Sequence, residues 1–249
     1  MPAASDDAKR FVLVIVVTAL ALWGCAKRDV VSDADKVYLH KVQAGETFEQ
    51  IADEYYGDPE RARNIAAFNG LQDADLRPDL IVRVPVGQDD IRWLEKREKA
   101  RAPYNEGLEL AGEASYLDAV KKFQAALEID PDFVDARYNL GVTFQKMKAY
   151  ERALRELDEA VRQRPSRPAY HFARGTCLFH LKRYDESALA LERVMELDPE
   201  HAKALFSLAA SYERLGETEK ARKAWRRYLE LDDSSVWATE ARKRLAALE

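Results

Sequence analysis

"VDARYNLGVTFQKMKAYERALRELDEAVRQRPSR", residues 134–167, holds two helix-length stretches in succession, and its marks recur at a fixed interval on both sides. Tyr150 stands 34 residues after Tyr116 and 34 before Tyr184. Gly141 has the same relation to Gly107 and Gly175, with Ala209 continuing the series. Pro165 has it to Pro131 and Pro199, with Asp233 in the fourth place. Ala119, Ala153, Ser187 and Ala221 keep a small side chain at a further position of each unit. The units are therefore 100–133, 134–167, 168–201 and 202–235. In each, the small residues let two helices approach closely, and the proline ends the second helix because it cannot continue one. Residues 236–248, "VWATEARKRLAAL", read as the solvating cap helix that stacked arrays need.

A 34-residue helix-turn-helix period with these marks resembles the tetratricopeptide repeat. The resemblance implies an α-solenoid whose first helices line a concave groove for a peptide or protein. The fifth residue of each unit is aromatic: Tyr104, Tyr138, Phe172 and Phe206. By the family's geometry that position faces the groove, and four rings would make an apolar ladder for an extended peptide. The other reading is that the rings fill the gap between adjacent first helices and expose little. Carboxylate-gripping arrays of the family use asparagine and lysine at such positions, so the aromatics argue against that specificity.

Upstream lies "YLHKVQAGETFEQIADEYYGDPERARNIAAFNGLQDADLRPDLIVRVP", residues 38–85. Tyr38 to Val42 reads as a strand ended by Gly45. Thr47 is placed to cap a helix, because its hydroxyl can accept from an orphan amide of the first turn. Phe48, Ile51, Ala52 and Tyr55 follow at amphipathic helical spacing, and Gly57 and Pro59 end the run. Ala62, Ile65, Ala66 and Phe68 form a second short helix closed by Asn69-Gly70. Leu80, Val82 and Val84 alternate as a last strand, stopped by Pro85. This strand-helix-helix-strand order resembles the LysM domain, as do Val42, Gly45, Glu46, Thr47, Ile51, Ala52, Tyr55, Gly57, Ile65, Asn69, Leu71, Leu76, Pro78, Val84 and Pro85. Asp79 departs from the family, which usually has glycine there. The resemblance implies recognition of N-acetylglucosamine glycans, in a bacterium peptidoglycan. The implied groove lies between Gly45, Glu46, Thr47 and Phe48 on one loop and Asn69, Gly70, Leu71 and Leu76 on another. The plainer reading is that Thr47 only caps, Phe48 only packs and Asn69 only ends a helix.

The chain opens with Lys9 and Arg10 before thirteen uncharged residues, Phe11 to Trp23. That run is short of the ~18 needed to span a bilayer and suits the apolar core of a signal peptide. Its end, Leu22-Trp23-Gly24-Cys25, resembles the lipobox of bacterial lipoproteins. The resemblance implies removal of residues 1–24, lipid on Cys25 and a polar tether over 25–37. Ala26, not aspartate, favours the outer membrane with the protein facing the periplasm. A signal-anchor helix with an incidental cysteine is the alternative.

Residues 87–101 nearly balance acids against bases and read as a helical spacer. The chain has 39 basic and 44 acidic residues, with none of the basic striping that nucleic-acid binding needs. Cys177 reads as a packed thiol, and His40, His171, His180 and His201 show no metal-ligand spacing. No catalytic cluster, cofactor or metal site is expected, and the expected modules use up residues 25–249, which argues against an enzyme. The expected fold is mainly α: a βααβ domain over 38–86, the spacer, repeats over 102–235 and a cap over 236–249. The expected function is a lipid-anchored envelope adaptor binding peptidoglycan and a protein partner. The alternative is an assembly lipoprotein for outer-membrane or pilus machinery, with the LysM resemblance reflecting positioning only.

Overall fold

The computed structural model describes residues 36–249. The readings of the apolar run, Cys25 and most of the tether lie outside the described residues. The chain divides into two compact units, with the boundary between Glu98 and Lys99.

The first unit pairs strand β1 (Lys36–Lys41) antiparallel with β2 (Ile81–Val86), Tyr38 opposite Val84 and His40 opposite Val82. Helices α1 (Phe48–Tyr56) and α2 (Ala62–Asn69) lie between them in sequence. Their inner faces join the strands in one core of Val42, Phe48, Ile51, Ile65, Val82 and Val84. Thr47 caps α1 as expected: its hydroxyl accepts from the Gln50 amide, and the Gln50 side chain accepts in return from the Thr47 amide at 2.9 Å. Gly57 ends α1 in the left-handed conformation at φ 66, and a Cβ there would lie 2.6 Å from the Trp93 ring. Glycine is thus required twice over.

Strand β2 runs through Pro85 to Val86 instead of stopping at the proline. In a two-stranded sheet both strands are edges, so a missing N–H can face outward without breaking the ladder. The Pro85 carbonyl meanwhile accepts from the Tyr56 hydroxyl at 2.6 Å.

The second unit is helical throughout. The spacer and the first repeat helix are a single helix, α3 (Gln88–Gly112), which starts before the boundary and contains Pro103. Nothing in 88–102 stops a helix, and one proline removes only one backbone donor. Then follow α4 (Tyr116–Ile129), α5 (Val134–Lys146), α6 (Tyr150–Gln163), α7 (Pro168–His180), α8 (Tyr184–Leu197), α9 (Ala202–Leu215), α10 (Thr218–Leu231) and α11 (Val236–Ala247). The periodic glycines explain the hairpins. A Cβ on Gly107, Gly141 or Gly175 would fall 2.8 Å from Phe123, Leu157 or Leu191 respectively. In the fourth repeat Ala209 and the fully buried Trp225 take the matching positions in one core cluster.

The turns inside the hairpins carry a second period. Ala114, Lys148, Lys182 and Gly216 all adopt positive φ, at 60, 59, 62 and 75. In each, the next amide reaches back to the helix, as Arg183 N–H does to the Leu178 carbonyl at 2.9 Å, the closure of a Schellman motif. Asp79 sits at φ 69 in the first unit, where the LysM family usually has glycine. A side chain in this region costs roughly 1–2 kcal/mol, partly offset by the greater entropy that glycine loses on folding. Asp79→Gly, and Lys148→Gly combined with Lys182→Gly, are therefore expected to stabilise by about 0.5 kcal/mol per site. Thermal unfolding would show the gain as a rise in Tm.

Candidate functional site

Two surfaces emerge, one in each unit. In the first, the turn after β1 is closed by Glu46, whose carboxylate accepts from the Gln43 amide at 2.8 Å. Gly45 forms its exposed tip at φ 77. The loop after α2 opens at exposed Gly70, also left-handed, with Leu71 N–H donating to the Ala66 carbonyl at 3.0 Å. The two loops are tied together by the Phe48 amide, which donates to the Asp73 carboxylate at 3.3 Å.

The residues of the expected groove divide in two. Gly45 and Gly70 are exposed, while Glu46, Thr47, Leu71 and Leu76 are half-buried beside them. Leu71 and Leu76 pack on the core and offer apolar walls. The Phe48 ring lies inside the core at 2% exposure, so this residue presents only backbone. Asn69 is committed too. Its amide donates to the Ile65 and Arg83 carbonyls at 2.8 and 2.7 Å and accepts from the Arg83 amide at 2.8 Å. That clamp fixes the second loop to β2. The Phe48 side chain therefore packs, and the Asn69 side chain ties the end of α2 to β2, a task beyond ending a helix.

In the second unit the four ladder rings are all half-buried, which places each between the two readings. Tyr104 packs on Phe133 with ring centres 4.6 Å apart, and its hydroxyl accepts from Asn139 at 3.1 Å. Burial pushes its hydroxyl pKa up to about 12. Tyr138 stacks on Tyr170 at 4.7 Å. These two rings are largely consumed in wedging helices apart. Phe172 and Phe206 differ, because they border a cavity of about 510 Å³ completed by Tyr228, Trp237, Lys203 and Asp232. Phe206 meets Trp225, Tyr228 and Trp237 edge to face at 4.8, 5.3 and 5.2 Å. The Ser235 and Tyr228 hydroxyls hold the Asp232 carboxyl down at about 2, so the rim keeps a negative charge. Lys203 is exposed on the same rim. The cavity is thus an apolar box with one charge of each sign.

Trp237, Tyr228 and Lys203 carry no periodic mark in the sequence, whereas Asp232 stands 34 residues after Asp198 in the repeat register. The available signal was Trp237, a lone aromatic at the start of a helix read as a solvating cap, and it is 63% exposed.

The remaining candidates resolve simply. Cys177 is fully buried, and burial pushes its thiol up to about 12. His171 contacts the Pro165 carbonyl at 2.8 Å, His180 stacks on Tyr150, and His201 caps α9. His40 is different. Its strand spacing gives it no role in the sequence, yet the fold sets its ring 2.9 Å from Glu46 and 4.0 Å from Glu54.

The LysM family model matches residues 40–85. This stretch is a LysM domain. Tetratricopeptide-repeat models match residues 110–175, 168–201 and 190–223, and the helical unit is a tetratricopeptide solenoid. None of these matching models is that of an enzyme; LysM and tetratricopeptide modules are typically non-catalytic binding modules. Among solved structures, MamA 41-end from Desulfovibrio magneticus RS-1 is 21% identical, with a TM-score of 0.57 over 60% of this chain and 83% of that one. YrrB, described as a tetratricopeptide protein with an unusual peptide-binding site, is 26% identical, with a TM-score of 0.55 over 62% and 79%. No curated protein matches the chain. The domains together mark the chain as a glycan-binding and protein-interaction adaptor.

Proposed function

We propose that this chain is a non-enzymatic adaptor of the bacterial cell envelope that holds a protein partner against peptidoglycan. The observation that carries the reading is the pairing, in one chain, of a LysM domain with two exposed glycine-tipped loops and a repeat array ending in an aromatic cavity. Acetamido groups are recognised by backbone donors and acceptors beside small apolar walls, which Gly45, Gly70, Leu71 and Leu76 offer. The cavity around Phe206 suits an apolar side chain of an extended peptide, with Lys203 and Asp232 available to its polar neighbours. That YrrB is described as having a peptide-binding site supports a peptide as occupant.

The lipobox-like sequence at Cys25 supports a lipid anchor, with the outer membrane favoured and the protein facing the periplasm. Each buried methylene contributes about 0.8 kcal/mol, and stable attachment takes more than one chain. An anchored LysM domain would meet the wall at raised effective concentration, offsetting the weakness of a single module.

The experiment is sedimentation of residues 26–249 with insoluble peptidoglycan, beside the same chain lacking 38–86. Co-sedimentation that disappears with the deletion is the expected result. If the chain stays in the supernatant throughout, the glycan reading fails, and the aromatic groove of a membrane-tethered scaffold is left to do the work.

A further inference from the structure

His40, Glu46 and Glu54 come from β1, the turn that follows it and α1. The fold brings one ring nitrogen and one oxygen of each carboxylate within 4.8 Å of one another. The imidazole is buried at 7% exposure and held edge-on against Tyr55, ring centres 5.6 Å apart. Its Nε2 lies 2.9 Å from Glu46 Oε2, and its Nδ1 lies 4.0 Å from Glu54 Oε2. The carboxylates are themselves withdrawn from water, at 12% and 23% exposure. The fold thus gathers one buried nitrogen and two half-buried carboxylates from three separate segments onto one point.

A zinc-class ion binds histidine nitrogen and carboxylate oxygen at about 2.0–2.2 Å, which spaces tetrahedral ligand atoms roughly 3.3 Å apart. One ring nitrogen and one oxygen of each carboxylate already lie within 4.8 Å of one another, so rotation of the two glutamate side chains toward the ring closes the set. We propose that His40, Glu46 and Glu54 form a binding site for a divalent transition-metal ion of the zinc class. The nitrogen ligand disfavours calcium and magnesium, which take oxygen donors. Three protein ligands leave a fourth position for water. The claim stands apart from glycan recognition. If that recognition also holds, the ion would stiffen the turn that carries Gly45 and Thr47, because Glu46 is the side chain closing it.

The test is calorimetric titration of the full chain with zinc sulfate near neutral pH, with thermal unfolding alongside. One zinc ion per chain at this site and a higher Tm are expected, while calcium chloride leaves Tm unchanged. Glu54→Gln and His40→Gln should each weaken zinc binding at least tenfold. Glu49→Gln, an exposed acid on the same helix, should leave it unaltered. If His40→Gln does not fold by circular dichroism, Glu54→Gln decides alone. Absence of zinc binding overturns the proposal, leaving His40 a histidine paired with two acids. Undiminished binding in Glu54→Gln overturns it equally.

Discussion

Trp225→Ala is expected to destabilise the solenoid by about 3–5 kcal/mol, the range for removing a buried aromatic from a core that cannot collapse onto the space. Trp225 is fully buried and meets Phe206 edge to face at 4.8 Å, with the Arg244 guanidinium 5.7 Å over its ring. It fills the place that Leu157 and Leu191 fill in the preceding repeats, so its loss opens the hairpin of α9 and α10 along its full contact. Its indole Nε1 is buried with no hydrogen-bond partner among the described residues. Trp225→Phe therefore removes an unsatisfied donor along with some volume, and should cost less than ~1.5 kcal/mol. Urea unfolding followed by circular dichroism separates the two variants. A similar cost for both would contradict the packing account. Because Phe206 rests on Trp225, the alanine variant should also weaken the peptide binding proposed for the cavity.

Gly141→Val is expected to cost about 2–3 kcal/mol through overpacking. A Cβ at this position falls 2.8 Å from Leu157 Cγ and 3.3 Å from the Ala153 carbonyl oxygen. The leucine can rotate, but the carbonyl belongs to α6 and can move only with the helix. The control is Gly112→Ala, where nothing lies within 4 Å. There, at the last residue of α3, the change should be neutral or gain up to about 0.5 kcal/mol, since the glycine penalty is largest in a helix interior. Adding Leu157→Ala to Gly141→Val should recover part of the loss, a coupling that distant sites do not show. A Gly141→Val chain as stable as wild type would mean that the periodic glycines do not set the helix approach.

The parts of this architecture that were legible in the sequence are those set by packing within one repeat. Gly107, Gly141 and Gly175 are spaced by the repeat because each faces a large side chain from the helix after it. Thr47 and Gly57 were legible for a similar reason, since a cap and a left-handed residue have narrow chemical requirements. The fused helix α3 was hidden because the charged run over 88–101 has no apolar period to show its end. The left-handed turns at Ala114, Lys148 and Lys182 were hidden because the residues there are not glycine. In the LysM domain, burial of the Phe48 ring and the clamp made by Asn69 both depend on strands distant in sequence. His40, Glu46 and Glu54 gave no signal, standing six and fourteen positions apart with no motif between them. Trp237 was absorbed into a cap helix defined by its charges, whereas the fold sets it against Phe206.

The central claim is that the loops of the LysM domain recognise N-acetylglucosamine glycan while the solenoid is left free for a protein. It is tested most directly by titrating 15N-labelled chain with a soluble N-acetylglucosamine oligomer and following the amide resonances. The account predicts shifts confined to the amides of Gly45, Glu46, Thr47 and Phe48 and of Gly70, Leu71 and Leu76, with residues 99–249 unmoved. No shift in either loop, or shifts centred on the solenoid, would contradict it.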